Sequence, residues 1–128
     1  VTIPFKQHIL ESILQDLCRE EQVTAAIIAN REGFLIAAAP VAGEAETMAA
    51  LVAYLRDTAG RAQAQLGLAP LDEVLVRDRT QQMLVCRSIP VNSGDDLLLV
   101  VLISGGGAYR RLTNLAIRRI REAWQDDL

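Results

Sequence analysis

The spacing of hydrophobic positions changes repeatedly along the chain, and each change marks an element. After Pro4, the residues Phe5, Ile9, Ile13 and Leu17 recur at helical spacing, with Leu10 and Leu14 widening the stripe. Proline suits an early helical position, so the pattern predicts an amphipathic helix over 4–21. Next, "TAAIIA" and "FLIAAA" flank Asn30-Arg31-Glu32-Gly33, a turn whose Asn and Gly allow two strands to reverse into a hairpin. "TAAIIA" lacks alternation and reads as a central strand buried on both faces. The stretch from Glu44 to Leu66 is helical in period, with Glu44 and Glu46 near its start and Gly67 closing it ahead of Pro70.

Three strand-like runs follow. "LDEVLVR" and "QQMLVCRSI" flank Asp78-Arg79-Thr80, and Asn92-Ser93-Gly94-Asp95 leads into "DLLLVVLIS". The continuous apolar run 97–103 should be the second central strand, beside the first. "LDEVLVR", carrying Asp72, Glu73 and Arg77, should be an edge. The last segment, Tyr109 to Trp124, places Leu112, Ala116, Ile120 and Trp124 on one face and predicts a terminal helix.

The order is helix, two strands, helix, three strands, helix, and short turns within each strand group make neighbours antiparallel. This is an α+β sandwich. No solenoid-period repeat or low-complexity linker divides it, so residues 1–128 read most simply as one domain.

Composition narrows the classes. Hydrophobic residues make up 51% of the 128, enough for a packed core and for an apolar surface that needs a partner. The longest aliphatic run, Leu97 to Ile103, is far below the roughly 20 residues of a membrane helix, and no basic-plus-apolar leader precedes Pro4. The expectation is a soluble, cytoplasmic protein without membrane insertion. A net charge of −3 argues against a general nucleic-acid binder. Cys18 and Cys86 sit among apolar neighbours and read as buried thiols rather than a disulfide. His8, the single histidine, has no Cys or carboxylate cluster near it in sequence, so no metal site is expected.

The long helix has two faces to account for. Met48, Val52, Leu55, Ala59, Ala62 and Leu66 suffice to pack it on a sheet. On the other side, Ala50, Ala53, Asp57, Gly60 and Ala64 follow at three, four, three, four, the spacing of a helix–helix seam with small side chains at nearly every step. Gly60 costs about 1 kcal/mol against alanine in a helix interior. One reading is a solvated, alanine-rich face. The other is close packing of this helix against its own copy, with Tyr54 and Arg61 at the margin of the seam.

The glycine run in "LISGGGAYRRL" raises the question of a phosphate cradle. A P-loop needs G-x-x-x-x-G-K-[ST], and the only lysine is Lys6. Gly105, Gly106 and Gly107 do not have dinucleotide spacing either, and the preceding strand belongs to an antiparallel meander. They read as a tight strand-to-helix turn, the alternative being an anion held by the backbone amides at the start of the following helix. No nucleophile, base and acid come together in the pattern, so no catalytic residue and no cofactor is assigned. In the last helix Arg110, Arg111, Arg118 and Arg121 fall on one side, opposite Leu112, Ile120 and Trp124. They form either a solvated face or a positive patch for a partner's carboxylates or phosphates.

Taken together, the opening helix, "TAAIIANREGFLIA", "ETMAALVAYLRDTAGRAQAQLG" and "LLLVVLISGGGAYRRL" resemble the Roadblock/dynein light chain family, in particular its bacterial MglB-like members. The resemblance covers nearly the whole chain. It implies a five-stranded antiparallel sheet sandwiched between the long helix and the two terminal helices. It further implies a homodimer whose long helices pack together, with edge strands joined into one sheet. The implied role is a non-enzymatic platform that binds a small Ras-like GTPase and stimulates its hydrolysis, or a light-chain adaptor of a larger motor complex. From another class, a small-molecule sensory module of PAS or GAF type shares parts of this outline and would need an apolar pocket with convergent polar groups.

Overall fold

The structure, a computed structural model, describes residues 4–40, 44–91, 96–105 and 109–125. Three helices and five strands follow in the predicted order: α1 (Pro4–Leu17), β1 (Val23–Ala29), β2 (Leu35–Ala39), α2 (Ala45–Leu66), β3 (Glu73–Arg77), β4 (Gln82–Ile89), β5 (Leu97–Ser104) and α3 (Tyr109–Gln125). The sheet runs β2-β1-β5-β4-β3, antiparallel at every pairing. The two apolar strands are neighbours at its centre and β3 is an edge, as their hydrophobic patterns require.

Alternation divides the core into two layers. Facing α1 and α3 are Ala26, Ile28, Met83, Val85, Leu99 and Val101, packed with Leu10, Leu14 and Ile120. Ile27, Ala29, Cys86, Leu98 and Val100 face the other way and meet Ala45, Ala49 and Val52 of α2. The sheet is thus sandwiched between α2 on one side and the terminal helices on the other. Arg119 donates to Asp16 at 2.9 Å and ties α3 to α1, while the Lys6 ammonium sits 4.6 Å from the centre of the Trp124 ring.

The turns follow their chemistry. Asn30 Oδ1 accepts from the backbone N–H of Glu32 and Phe34, and Gly33 takes φ +94°, where a side chain is disfavoured. Asp78 Oδ1 accepts from the N–H groups of Thr80 and Gln82 and from the Thr80 hydroxyl, whose bond is the largest influence holding this carboxyl below its usual range. Gly67 closes α2 at φ 71°, its N–H reaching Ala64 O while Leu68 N–H reaches Gln63 O. The Asn92–Asp95 turn, the Gly106–Ala108 part of the glycine run and the Phe5 side chain lie outside the described residues.

Two expectations are corrected. The first helix ends at Leu17 rather than 21, because the N–H groups of Arg19 and Glu20 tighten onto Asp16 and Leu17 and Val23 N–H returns to Glu20 O. Helical spacing continues past the point where the backbone turns toward the sheet. The stripe Met48-Val52-Leu55-Ala59-Ala62-Leu66 does not pack along its length. Only Ala45, Ala49 and Val52 of α2 are buried, Ala62 is exposed, and Leu66 is 72% exposed. Beyond Val52 no residue of this 22-residue helix, about 33 Å long, is fully buried, while Leu55 and Ala59 are half-buried.

Candidate functional site

Two surfaces carry the residues singled out in the sequence. The first is the outer face of α2. Ala50, Asp57, Arg61 and Ala64 are exposed there, Ala53 and Gly60 are half-buried, and Tyr54 is 72% exposed. Leu51 and Leu66 add exposed apolar area. Arg61 donates to Asp57 at 2.9 Å, an i,i+4 pair in solvent.

This face is not uniform. At its start the hairpin turn rides against the helix: a Cβ on Gly33 would stand 3.2 Å from Ala53 Cβ and 3.3 Å from Ala50 Cα. Small residues at 50 and 53 therefore already serve a close approach within the chain. Further along, a Cβ on Gly60 would meet nothing within 4 Å among the described residues. Around it opens a cavity of about 300 Å³ lined by Arg31, Ala53, Arg56, Asp57, Arg61 and Ala64. Arg56 reaches below the helix to donate to the Ser88 hydroxyl, and its Nη1 is buried without a hydrogen-bond partner among the described residues.

The second surface is α3, where the four predicted arginines have different surroundings. Arg110 is bound to the edge strand region, 3.0 Å from Asp72 and 3.1 Å from Glu73, and its bond to Asp72 raises its pKa. Arg111, Arg118 and Arg121 are exposed and form no ion pair among the described residues. Tyr109 donates to Glu73 at 3.0 Å, and partial burial followed by that bond raises its phenol pKa.

Sequence reasoning missed Arg87, 8% exposed in β4. Its Nη1 donates to Thr113 Oγ1 at 2.9 Å and to Asn114 Oδ1, and its Nη2 lies 3.7 Å from Asp72. With Arg110 and Tyr109 it locks β3, β4 and α3 together. The signal was present: period two along "MLVCRSI" aligns Arg87 with Met83, Val85 and Ile89 on the core face.

Cys18 and Cys86 are free thiols. Burial raises both, Cys86 to about 11, and the Cys18 thiol donates to Ala39 O at 3.2 Å. Among the described residues no three His, Cys, Asp or Glu side chains come together to hold a metal, and no helix is long and apolar enough to cross a membrane.

Two helices on one face of a five-stranded antiparallel sheet and one long, partly unsupported helix on the other define a Roadblock-type α+β domain. Residues 9–102 match the Roadblock/LC7 domain, and the chain belongs to that family. Among solved structures it is similar to the gliding protein mglB from Thermus thermophilus, with a TM-score of 0.80 and 20% identity over 98% of this chain and 96% of that one. MglB from Myxococcus xanthus superposes with a TM-score of 0.80 at 15% identity, covering 98% and 95%. An MglB in a tetrameric arrangement gives 0.80 at 20% identity, covering 100% and 96%. A search of curated proteins returned no match.

Proposed function

We propose that this chain is a homodimeric, non-enzymatic adaptor of the cytoplasm that binds a small Ras-like GTPase and stimulates its GTP hydrolysis. The observation that carries the reading is Roadblock/LC7 membership, with the MglB fold matched over nearly the full length. The outer face of α2 serves as the contact between copies, and the tetrameric arrangement of a similarly folded MglB supports assembly through copies of the chain. Edge strand β3, at the margin of the sheet, is available to extend it into the second copy.

The GTPase docks on the exposed arginines of α3, Arg111, Arg118 and Arg121, with Arg110 beside them already paired to Asp72 and Glu73. Stimulation then follows from holding the GTPase switch loops in their catalytic arrangement, or from an arginine that stabilises charge developing on the transferred phosphoryl group.

The test is capture on immobilised protein with GDP and with a non-hydrolysable GTP analogue, followed by a hydrolysis assay on the recovered GTPase. Enrichment of a small GTPase with the GTP analogue and faster hydrolysis on adding the chain are expected. A folded dimer that retains no GTPase in either nucleotide state overturns the proposal. Light scattering checks the assembly: Ala53→Arg should yield a monomer from a dimeric wild type.

A further inference from the structure

The side of the molecule formed by α1 and α3 carries a surface that is complementary to itself. The two helices run antiparallel, Lys6 lying beside Trp124 and Asp16 beside Arg119, so the end of α1 reaches the first half of α3. Between them at that end is an open groove of about 80 Å³. Its floor is apolar, built by Ile13, Leu17, Leu112 and Ala116, and its charges are Asp16, Glu20 and Arg119. Asp16 and Arg119 are joined to each other at 2.9 Å. Glu20, in the turn just past α1, is exposed, and its carboxylate has no partner among the described residues.

Leu115 forms the opposite wall. It is 47% exposed, the one large apolar side chain of α1 and α3 that is exposed among the described residues. Helical geometry fixes what lies beyond it. At 3.6 residues per turn, Arg111 and Arg118 are the i−4 and i+3 neighbours of Leu115, set about 40–60° farther round the helix from the groove. Both are exposed and form no ion pair among the described residues. Across this face the order is therefore a free carboxylate, an apolar groove, an apolar side chain and two free guanidinium groups.

A two-fold axis through the middle of that order sets Glu20 of each copy opposite Arg111 and Arg118 of the other, and each Leu115 opposite the other groove. Any other partner would need its own acid, apolar anchor and bases in the same sequence, whereas a second copy has them by symmetry. We propose that two copies of this chain associate through α1 and α3, Leu115 of each entering the groove of the other and Glu20 of each pairing with the arginines opposite. The contact lies across the sheet from the outer face of α2 and does not depend on it. One branched side chain and one carboxylate per copy make a small interface of the weak, reversible class, strengthened where copies are already tethered. It uses two of the arginines assigned above to GTPase docking, so the two contacts exclude one another.

The experiment is sedimentation of the full chain in a concentration series reaching about 1 mM, where weak contacts are populated. Wild type is compared with Leu115→Arg, with Glu20→Arg and with the double reversal Arg111→Glu and Arg118→Glu. Each variant should raise the dissociation constant of one association step by at least about tenfold. Glu20→Arg and the double reversal, mixed in equal amounts, should recover the wild-type mass, because both ion-pair sites of the mixed pair then join opposite charges. Circular dichroism melts establish that each variant is folded.

Ala53→Arg, measured alongside, separates this contact from the one on α2. A wild-type mass that falls with Ala53→Arg and is unchanged by Leu115→Arg leaves the α2 reading standing and overturns the contact through α1 and α3. A mass that falls with Leu115→Arg and is unchanged by Ala53→Arg does the reverse. A wild type that stays monomeric throughout the series overturns the proposal, as do charge variants that fail to recover when mixed. No GTPase enters the measurement, so failure here leaves the docking reading of α3 standing.

Discussion

Gly33 and Ala53 meet where the β1–β2 turn presses on α2, close enough that a Cβ on the glycine would lie 3.2 Å from the alanine Cβ. The glycine also sits at φ +94°, so it answers two demands at once. Gly33→Ala should destabilise the fold by about 1–2 kcal/mol through backbone strain and crowding. The readout is thermal unfolding, with Tm expected to fall by about 3–8 °C. An unchanged Tm would mean that the turn moves away from the helix at no cost.

Thr113 is buried in α3, where its hydroxyl accepts from Arg87 and donates to Tyr109 O. Thr113→Val keeps the shape and removes one acceptor of a buried cation, leaving Asn114 Oδ1 and Asp72. A loss of about 2 kcal/mol is expected in urea unfolding, since bonds to charged groups exceed neutral ones. Amide exchange should rise in β3 and at the start of α3, the elements Arg87 holds through Asp72 and Asn114.

Burial pushes the Cys86 thiol up to about 11 from its usual value near 9. Between those values the unfolded chain loses its thiol proton and the native chain keeps it, so native stability falls as pH rises from 9 to 11 and levels beyond. Unfolding of wild type and Cys86→Ala should show a steeper decline for the wild type across that window. Equal slopes would remove Cys86 as the cause. At neutral pH the same burial should keep Cys86 from thiol reagents while half-buried Cys18 reacts faster.

Under the proposed function, reversing Arg118 and Arg121 to Glu should weaken GTPase capture at least about tenfold, with no loss in Tm, because the positive patch that meets the partner changes sign. Arg110→Ala is a different perturbation, since Arg110 serves Asp72 and Glu73. It should loosen β3, visible as faster exchange of its amides. Undiminished capture by the double reversal would remove this face from the contact.

Much of the fold was legible in the residues themselves. The non-alternating runs of β1 and β5 specified central strands, Asp72, Glu73 and Arg77 marked β3 as an edge, and Asn30 with Gly33 specified the hairpin. Helical periodicity was less informative about α2. It shows which residues share a side, not how far the sheet extends beneath them, and so Ala62 and Leu66 read as packed when both are exposed. Small residues were ambiguous for the same reason. Ala50 and Ala53 accommodate a turn that is distant in sequence, whereas no described residue of the chain approaches Gly60 within 4 Å of where a Cβ would stand. The arginines of α3 were visible as a group, but pairing distinguishes them, and the partners of Arg110 come from around β3, a separation that local pattern does not encode.

The unequal seating of α2 produces a gradient of local stability within one helix. Ala45, Ala49 and Val52 are buried against the sheet layer beneath them, while the turns from Asp57 to Leu66 contain no fully buried residue and are held mainly by their own backbone, the Asp57–Arg61 pair and the Gly67 cap. Those later turns can fray and re-form in a sub-global fluctuation that leaves the core intact. Any molecule that binds there is then detected as slowed amide exchange confined to the second half of the helix. The free chain thus carries, in a single element, a rigid reference segment and an adjacent reporter of assembly.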